Sequence, residues 1–205
     1  MNVLLVDNFD SFSFNLVDDL RRRGACVSVW RNDLPADDVW ALLLGLPAPR
    51  MLVVSPGPGR PEDAGCCEEL VRRAVACSEP VPMFGVCLGL QVMVTALGGT
   101  VVPCGVAHGR AFKIRHDASG PLAALPSPLL VGRYHSLAAG VVPDELEVTA
   151  RNDEGVVMAL AHRSRPLYAV QFHPESVLTP RGGLLFDELL RWGARRQLVE
   201  GKGDA

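Results

Sequence analysis

The chain of 205 residues has little net charge: 20 Lys and Arg against 23 Asp and Glu leave a formal value of −3. No basic field points to nucleic acid or to an anionic membrane as a partner. Nowhere do about 18 apolar residues run consecutively, as a membrane-spanning helix requires. The opening Met1-Asn2-Val3-Leu4-Leu5-Val6-Asp7 has no basic leader, so a cytoplasmic location is expected. The six cysteines, at 26, 66, 67, 77, 87 and 104, lack the paired C-x-x-C spacing that holds zinc, and no secretory context favours disulfides. All but Cys87 read as buried thiols of a reducing compartment. There is no internal repeat, no long linker and no G-x-x-x-x-G-K phosphate loop. What is present is a chain of single-domain size, 48% hydrophobic, with material for a sizeable core. One domain over residues 1–197 and a frayed tail over 198–205 are expected.

The first half alternates strand-like and helix-like segments. Asn2 to Val6, Val27 to Trp30, Met51 to Ser55 and Val81 to Phe84 are short apolar runs suited to buried strands. Between them, Ser11 to Arg23 carries Phe12, Leu16 and Leu20 on one helical face and stops at Gly24, while Asp37 to Leu44 and Glu68 to Cys77 also read as helices. Such a series implies an α/β fold whose mostly parallel central sheet is flanked by helices on both faces. The second half changes character. Ala111 to Arg115, Leu129 to Gly132, Leu146 to Ala150, Val156 to Ala161 and Leu167 to Phe172 are short strands that add antiparallel partners to that sheet. A closing helix is expected from Leu184 to Trp192.

Two motifs carry chemistry. Gly85-Val86-Cys87-Leu88-Gly89-Leu90-Gln91 has the form of a nucleophile elbow with cysteine as nucleophile, its glycines placed where side chains would obstruct a sharp strand-to-helix turn. The helix over Leu88 to Leu97 puts Cys87 at an N-terminus, where the dipole favours thiolate. The same cysteine also fits as a small core side chain among Phe84, Val86 and Leu88. Later the chain reads His173-Pro174-Glu175, with imidazole and carboxylate two residues apart and so on one side of an extended segment. A carboxylate so placed fixes the imidazole's tautomer and stabilises its charged form. Thiol, imidazole and carboxylate together make an acyl-transfer site. The segment Pro56-Gly57-Pro58-Gly59 follows a parallel strand at its carboxyl end, where ligands bind in such sheets. Its Gly59 N–H and that of Leu88 would supply the two donors an oxyanion hole needs. Gln91, one helical turn after Cys87, projects to the same side, either toward a polar substrate or into solvent.

The Pro56-Gly57-Pro58-Gly59 loop, the elbow, Tyr134-His135-Ser136-Leu137 and the final His173-Pro174-Glu175 resemble the class I (triad) glutamine amidotransferases over nearly the whole chain. Asp7-Asn8-Phe9-Asp10-Ser11-Phe12, Arg31-Asn32-Asp33 and His108-Gly109-Arg110 are similar to the glutaminase components of chorismate-using synthases, both anthranilate and aminodeoxychorismate. The resemblance implies that Cys87 is the nucleophile, His173 the acid and base, and Glu175 its orienter. It further implies that Gly57, Pro58, Gly59, Gln91, Ser136 and Leu137 surround L-glutamine. Ammonia would pass to a separate synthase subunit that binds chorismate and uses magnesium, this chain having no cofactor or metal of its own. Leu90 departs from the histidine of many relatives, with a consequence expected for packing or partner contacts, and Arg110 stands where lysine is common. A γ-glutamyl hydrolase without a partner and a non-catalytic protein of the same fold are the other readings; Gln91 and the Tyr134 to Leu137 segment speak against the first, the complete triad against the second. A glutamine-derived diazoketone is expected to label Cys87 alone among the six cysteines, checked by peptide mapping; label found mainly on Cys66 or Cys67 would refute this.

Overall fold

A computed structural model describes residues 1–105 and 109–200. His108 lies outside the described residues, as do positions 201–205 of the expected tail. The alternation read from the first half is present as β1 (Asn2–Asp7), α1 (Ser13–Arg22), β2 (Cys26–Arg31), α2 (Ala36–Gly45), β3 (Arg50–Val54), α3 (Cys67–Ala76), β4 (Met83–Val86) and α4 (Leu88–Ala96). The second half supplies β5 (Val101–Pro103), β6 (Arg110–His116), β7 (Leu129–Arg133), β8 (Leu137–Ala139), β9 (Leu146–Asn152), β10 (Val157–His162), β11 (Leu167–Val170) and α5 (Gly182–Glu200).

Nine strands form one sheet in the order β2-β1-β3-β4-β11-β10-β9-β6-β7. From β2 to β11 the neighbours are parallel, and from β11 onward they are antiparallel. The inner parallel strands β1, β3, β4 and β11 are apolar on both faces because both are covered. Leu5, Val53, Val86 and Val170 point to one side, where Leu16 and Leu20 of α1 meet Leu185, Phe186 and Leu189 of α5. Leu4, Val6, Leu52, Val54 and Ala169 point to the other, against Val39 and Leu43 of α2, Leu70 and Val71 of α3, and Leu90 and Val94 of α4. The pleat thus splits each strand between two cores.

Several boundaries differ from the sequence reading. β4 starts at Met83, not Val81, because Pro80 and Pro82 have no N–H to give a ladder; it then runs on through Val86. β11 stops at Val170, not Phe172, since its neighbour β4 has by then turned into the elbow, and the Cys87 N–H takes the Val170 carbonyl at 2.8 Å. β5 and β8 pair as a small separate sheet and are too short for an alternating pattern to show. α5 is longer than expected at both ends, its first turn built on Gly182 and Gly183. The expectation of five buried thiols holds only for Cys66 and Cys67: Cys26 is exposed and Cys77 and Cys104 are half-buried. Cys26 opens the edge strand β2, whose outward positions have no covering layer.

Between β4 and α4 the backbone approaches itself closely. A Cβ on Gly85 would sit 2.7 Å from the Gly89 carbonyl, and one on Gly89 would sit 2.6 Å from the Val54 carbonyl oxygen. The helix can therefore start directly over the sheet only with glycine at both positions. Gly89→Ala is expected to lower the unfolding free energy by about 1–3 kcal/mol through overpacking, seen as a lower urea midpoint at constant slope. An unchanged midpoint would show that α4 stands off β3 without cost.

Candidate active site

Cys87 is the N-cap of α4, at φ 55° and ψ −99°, a left-handed conformation that a non-glycine residue holds only under constraint. The constraint comes from both sides. Its N–H is tied to Val170 of β11, and its carbonyl accepts from the N–H groups of Leu90 and Gln91 at 3.1 and 3.3 Å. As the first residue of α4, Leu88 has an N–H that no helical carbonyl can accept.

His173 follows the end of β11 and is fixed by its backbone. Its N–H donates to the Gly132 carbonyl at 3.1 Å, and its carbonyl accepts from Thr179 Oγ1 at 2.6 Å. Nδ1 of the ring meets Glu175 Oε1 at 2.6 Å, which leaves Nε2 as the nitrogen for Cys87. The side chains of His173 and Glu175 are 5% and 0% exposed. Tyr134 and Phe12 wall the ring edge-on, with centroids 5.0 and 5.8 Å away. Burial alone would push the imidazole toward neutrality, but the hydrogen bonds and charges of Cys87 and Glu175 win and raise its pKa to about 10. The ring is therefore an imidazolium at neutral pH.

His135 is the opposite case. Burial first, and then the Arg133 charge, push it down to about 3. It is neutral, and since a carbonyl only accepts, its Nδ1–H donates to the Leu137 carbonyl at 2.7 Å.

One cavity of about 260 Å³ is lined by Cys87 together with Gly57, Pro58, Gly59, Leu88, Gln91, Ser136 and Leu137, joined by Tyr134 and His135. Every residue expected around a substrate therefore faces the same space as the thiol. Gln91 is buried, not a solvated helix residue, and its Nε2 donates to the Leu137 carbonyl at 3.1 Å. The Gly57 to Gly59 loop rests on a buried amide network: Asn8 donates through N–H and Nδ2 to Ser55 Oγ and O, each at 2.9 Å, and its Oδ1 accepts from Asn32 Nδ2 at 2.8 Å. A Cβ on Gly57 would lie 2.5 Å from Asn8 Cβ, so only glycine fits against that support. Leu90 is fully buried in the core under α4, which makes its departure from histidine a matter of packing. Arg110 is exposed in β6 opposite Arg133 of β7, away from the cavity. Phe12, His135 and Gln171 were given no role at the site by the sequence reading. For Gln171 the signal was there: an amide in the apolar run Leu167 to Phe172 must be either an outward residue or a buried polar group with partners.

A thiol at a strained strand-to-helix turn, beside an imidazolium braced by a carboxylate, is the constellation of enzymes that transfer acyl groups through cysteine. The family model of the class-I glutamine amidotransferases matches residues 4–192, and the chain belongs to that family. Anthranilate synthase component 2 of Vibrio parahaemolyticus is 41% identical over 196 residues, covering 95% of this chain and 97% of that protein. Anthranilate synthase component 2 of Haemophilus influenzae is 42% identical over 192 residues, covering 93% and 97%. The multifunctional tryptophan biosynthesis protein of Pichia angusta is 39% identical over 194 residues, which are 92% of this chain and 51% of that longer protein. In fold, the chain is similar to the crystal structure of a putative GMP synthase subunit from Thermoplasma acidophilum, with TM-score 0.82 over 98% of both chains at 24% identity.

The raised pKa of His173 has a consequence for stability. Between pH 6.5 and about 10 the folded ring holds a proton that the unfolded ring releases, so its contribution is complete below pH 6.5 and is lost as pH rises through about 10. The difference in urea midpoint between the native chain and His173→Gln is expected to shrink steadily across that window. A difference that stays constant or widens there would show that the imidazolium pair is not formed.

Proposed function

We propose that this chain is the glutaminase subunit of an anthranilate synthase, hydrolysing L-glutamine through a thioester on Cys87 and delivering ammonia to a separate chorismate-using subunit. The observation that carries the reading is the convergence on one cavity of the Cys87 elbow and all six residues expected to surround glutamine, with His173 hydrogen-bonded to Cys87 and to Glu175. Relatives named anthranilate synthase component 2, matched over nearly their full length, favour anthranilate over aminodeoxychorismate as the partner's product.

Each group then has a task. The Cys87 thiolate adds to the side-chain carbonyl of glutamine, and the oxyanion takes the N–H groups of Leu88 and Gly59. His173, already protonated, gives its Nε2 proton to the departing nitrogen, and ammonia leaves. Water then adds to the thioester as His173 takes its proton; collapse releases glutamate and returns the thiolate. Glu175 keeps the ring oriented and offsets its charge in both halves. Ammonia must reach its acceptor before it is protonated, so the glutaminase docks over a closed path to the synthase site. Magnesium belongs to that second site. Among the described residues no group of three or more His, Cys, Asp or Glu side chains is arranged for a metal ion.

Cys87→Ser, assayed in complex with a chorismate-using synthase, is expected to abolish glutamine-dependent anthranilate formation while synthesis from added ammonium salt continues. Loss of both activities in a complex that still assembles would contradict the division of labour. Formation of aminodeoxychorismate in place of anthranilate with the cognate synthase would transfer the reading to that pathway.

A further inference from the structure

Gln171 follows β11, is fully buried, and does not line the cavity that holds Cys87. Its backbone N–H is fixed to the Met158 carbonyl at 2.9 Å. Burying a primary amide is costly unless its polar groups are used. The partners set the orientation of the amide in sequence. The Leu137 carbonyl can only accept, so Gln91 must present its nitrogen there. The other hydrogen of that nitrogen is directed to Gln171 Oε1, 3.4 Å away. The amide of Gln171 is thereby turned with its Nε2 toward Cys87 Sγ, at 3.6 Å.

We infer that Gln171 is a catalytic residue that donates a hydrogen bond to the Cys87 sulfur and assists its departure from the acyl-enzyme. The inference rests on the acyl-transfer reading above and adds a residue to it. When the thiolate forms its bond to carbon, an electron pair leaves sulfur and the hydrogen bond weakens. When water has added to the thioester, collapse breaks the S–C bond and returns that pair to sulfur as glutamate forms. Charge then develops at the atom that faces the Gln171 N–H, so the donor favours the second half-reaction over the first. The imidazolium of His173 acts on the same sulfur, but it loses its proton during turnover; the Gln171 N–H keeps its own.

The test uses the full chain with two variants: Gln171→Met, which keeps the shape without a donor, and Gln171→Asn, which withdraws the amide by one methylene. Two quantities are read: the rate at which iodoacetamide alkylates Cys87 at pH 7, followed on the Cys87 peptide, and the γ-glutamyl thioester trapped by acid quench during glutamine turnover. Because sulfur gives up that hydrogen bond whenever it bonds to carbon, its loss is expected to quicken alkylation severalfold and to make the thioester accumulate, since collapse without the donor is slower by about tenfold. A purely structural role for Gln171 would leave alkylation of the folded variant unchanged and leave no thioester to trap, and that outcome overturns the inference. Should Gln171→Met fail to fold, Gln171→Asn decides on the same two readouts. Quickened alkylation in a chain whose native form releases no glutamate, with or without a synthase, would instead overturn the glutaminase reading and leave the Gln171 contact standing.

Discussion

The parallel pairing of β4 with β11 is the contact on which the rest depends. With Val86 opposite Val170, the two strands end side by side, and one hydrogen bond from Cys87 to Val170 marks the point where both leave the sheet. From there one chain turns into α4 and the other passes through His173. Residues far apart in sequence become neighbours because the carboxyl ends of adjacent parallel strands open into the same crevice. Register matters as much as adjacency: a slip of one residue would send each side chain to the opposite face.

That geometry turns a general reactivity into a specific one. Cys66 has a lowered pKa, first through its hydrogen bond with Cys67, yet neither thiol lines the cavity with Cys87. Cys87 differs in its company: a cationic ring, a helix N-terminus and an open cavity. The antiparallel half of the sheet serves the same end. β7 supplies the Gly132 carbonyl that holds His173, and the segment after it brings Tyr134 to Leu137 to the cavity wall.

The layout was legible because periodicity and punctuation report it directly. The apolar runs of β1, β3 and β4, the stop at Gly24 and the glycines around Cys87 are local signals, and each marks a local necessity. The pairing of His173 with Glu175 was legible for the same reason, the carboxylate lying two residues from the imidazole. What the sequence concealed are relations between distant segments. Nothing near Phe12 says that its ring will stand against His173, and nothing near Gln171 says that its amide will turn toward sulfur, since both depend on how separate strands are brought into line. The protonation of His173 was half visible: a partner carboxylate was evident, but the outcome rests on whether two partners outweigh burial.

The Asn8 network ties together the ends of three parallel strands. Asn8 follows β1, Asn32 follows β2 and Ser55 follows β3, and all three are buried and joined through one amide. Loops that would otherwise wander separately share their degrees of freedom, and the Gly57 to Gly59 segment rests on their common platform. The exposed ring of Phe9, next in the chain to Asn8, thus stands one residue from the hydrogen bonds that join the ends of all three strands.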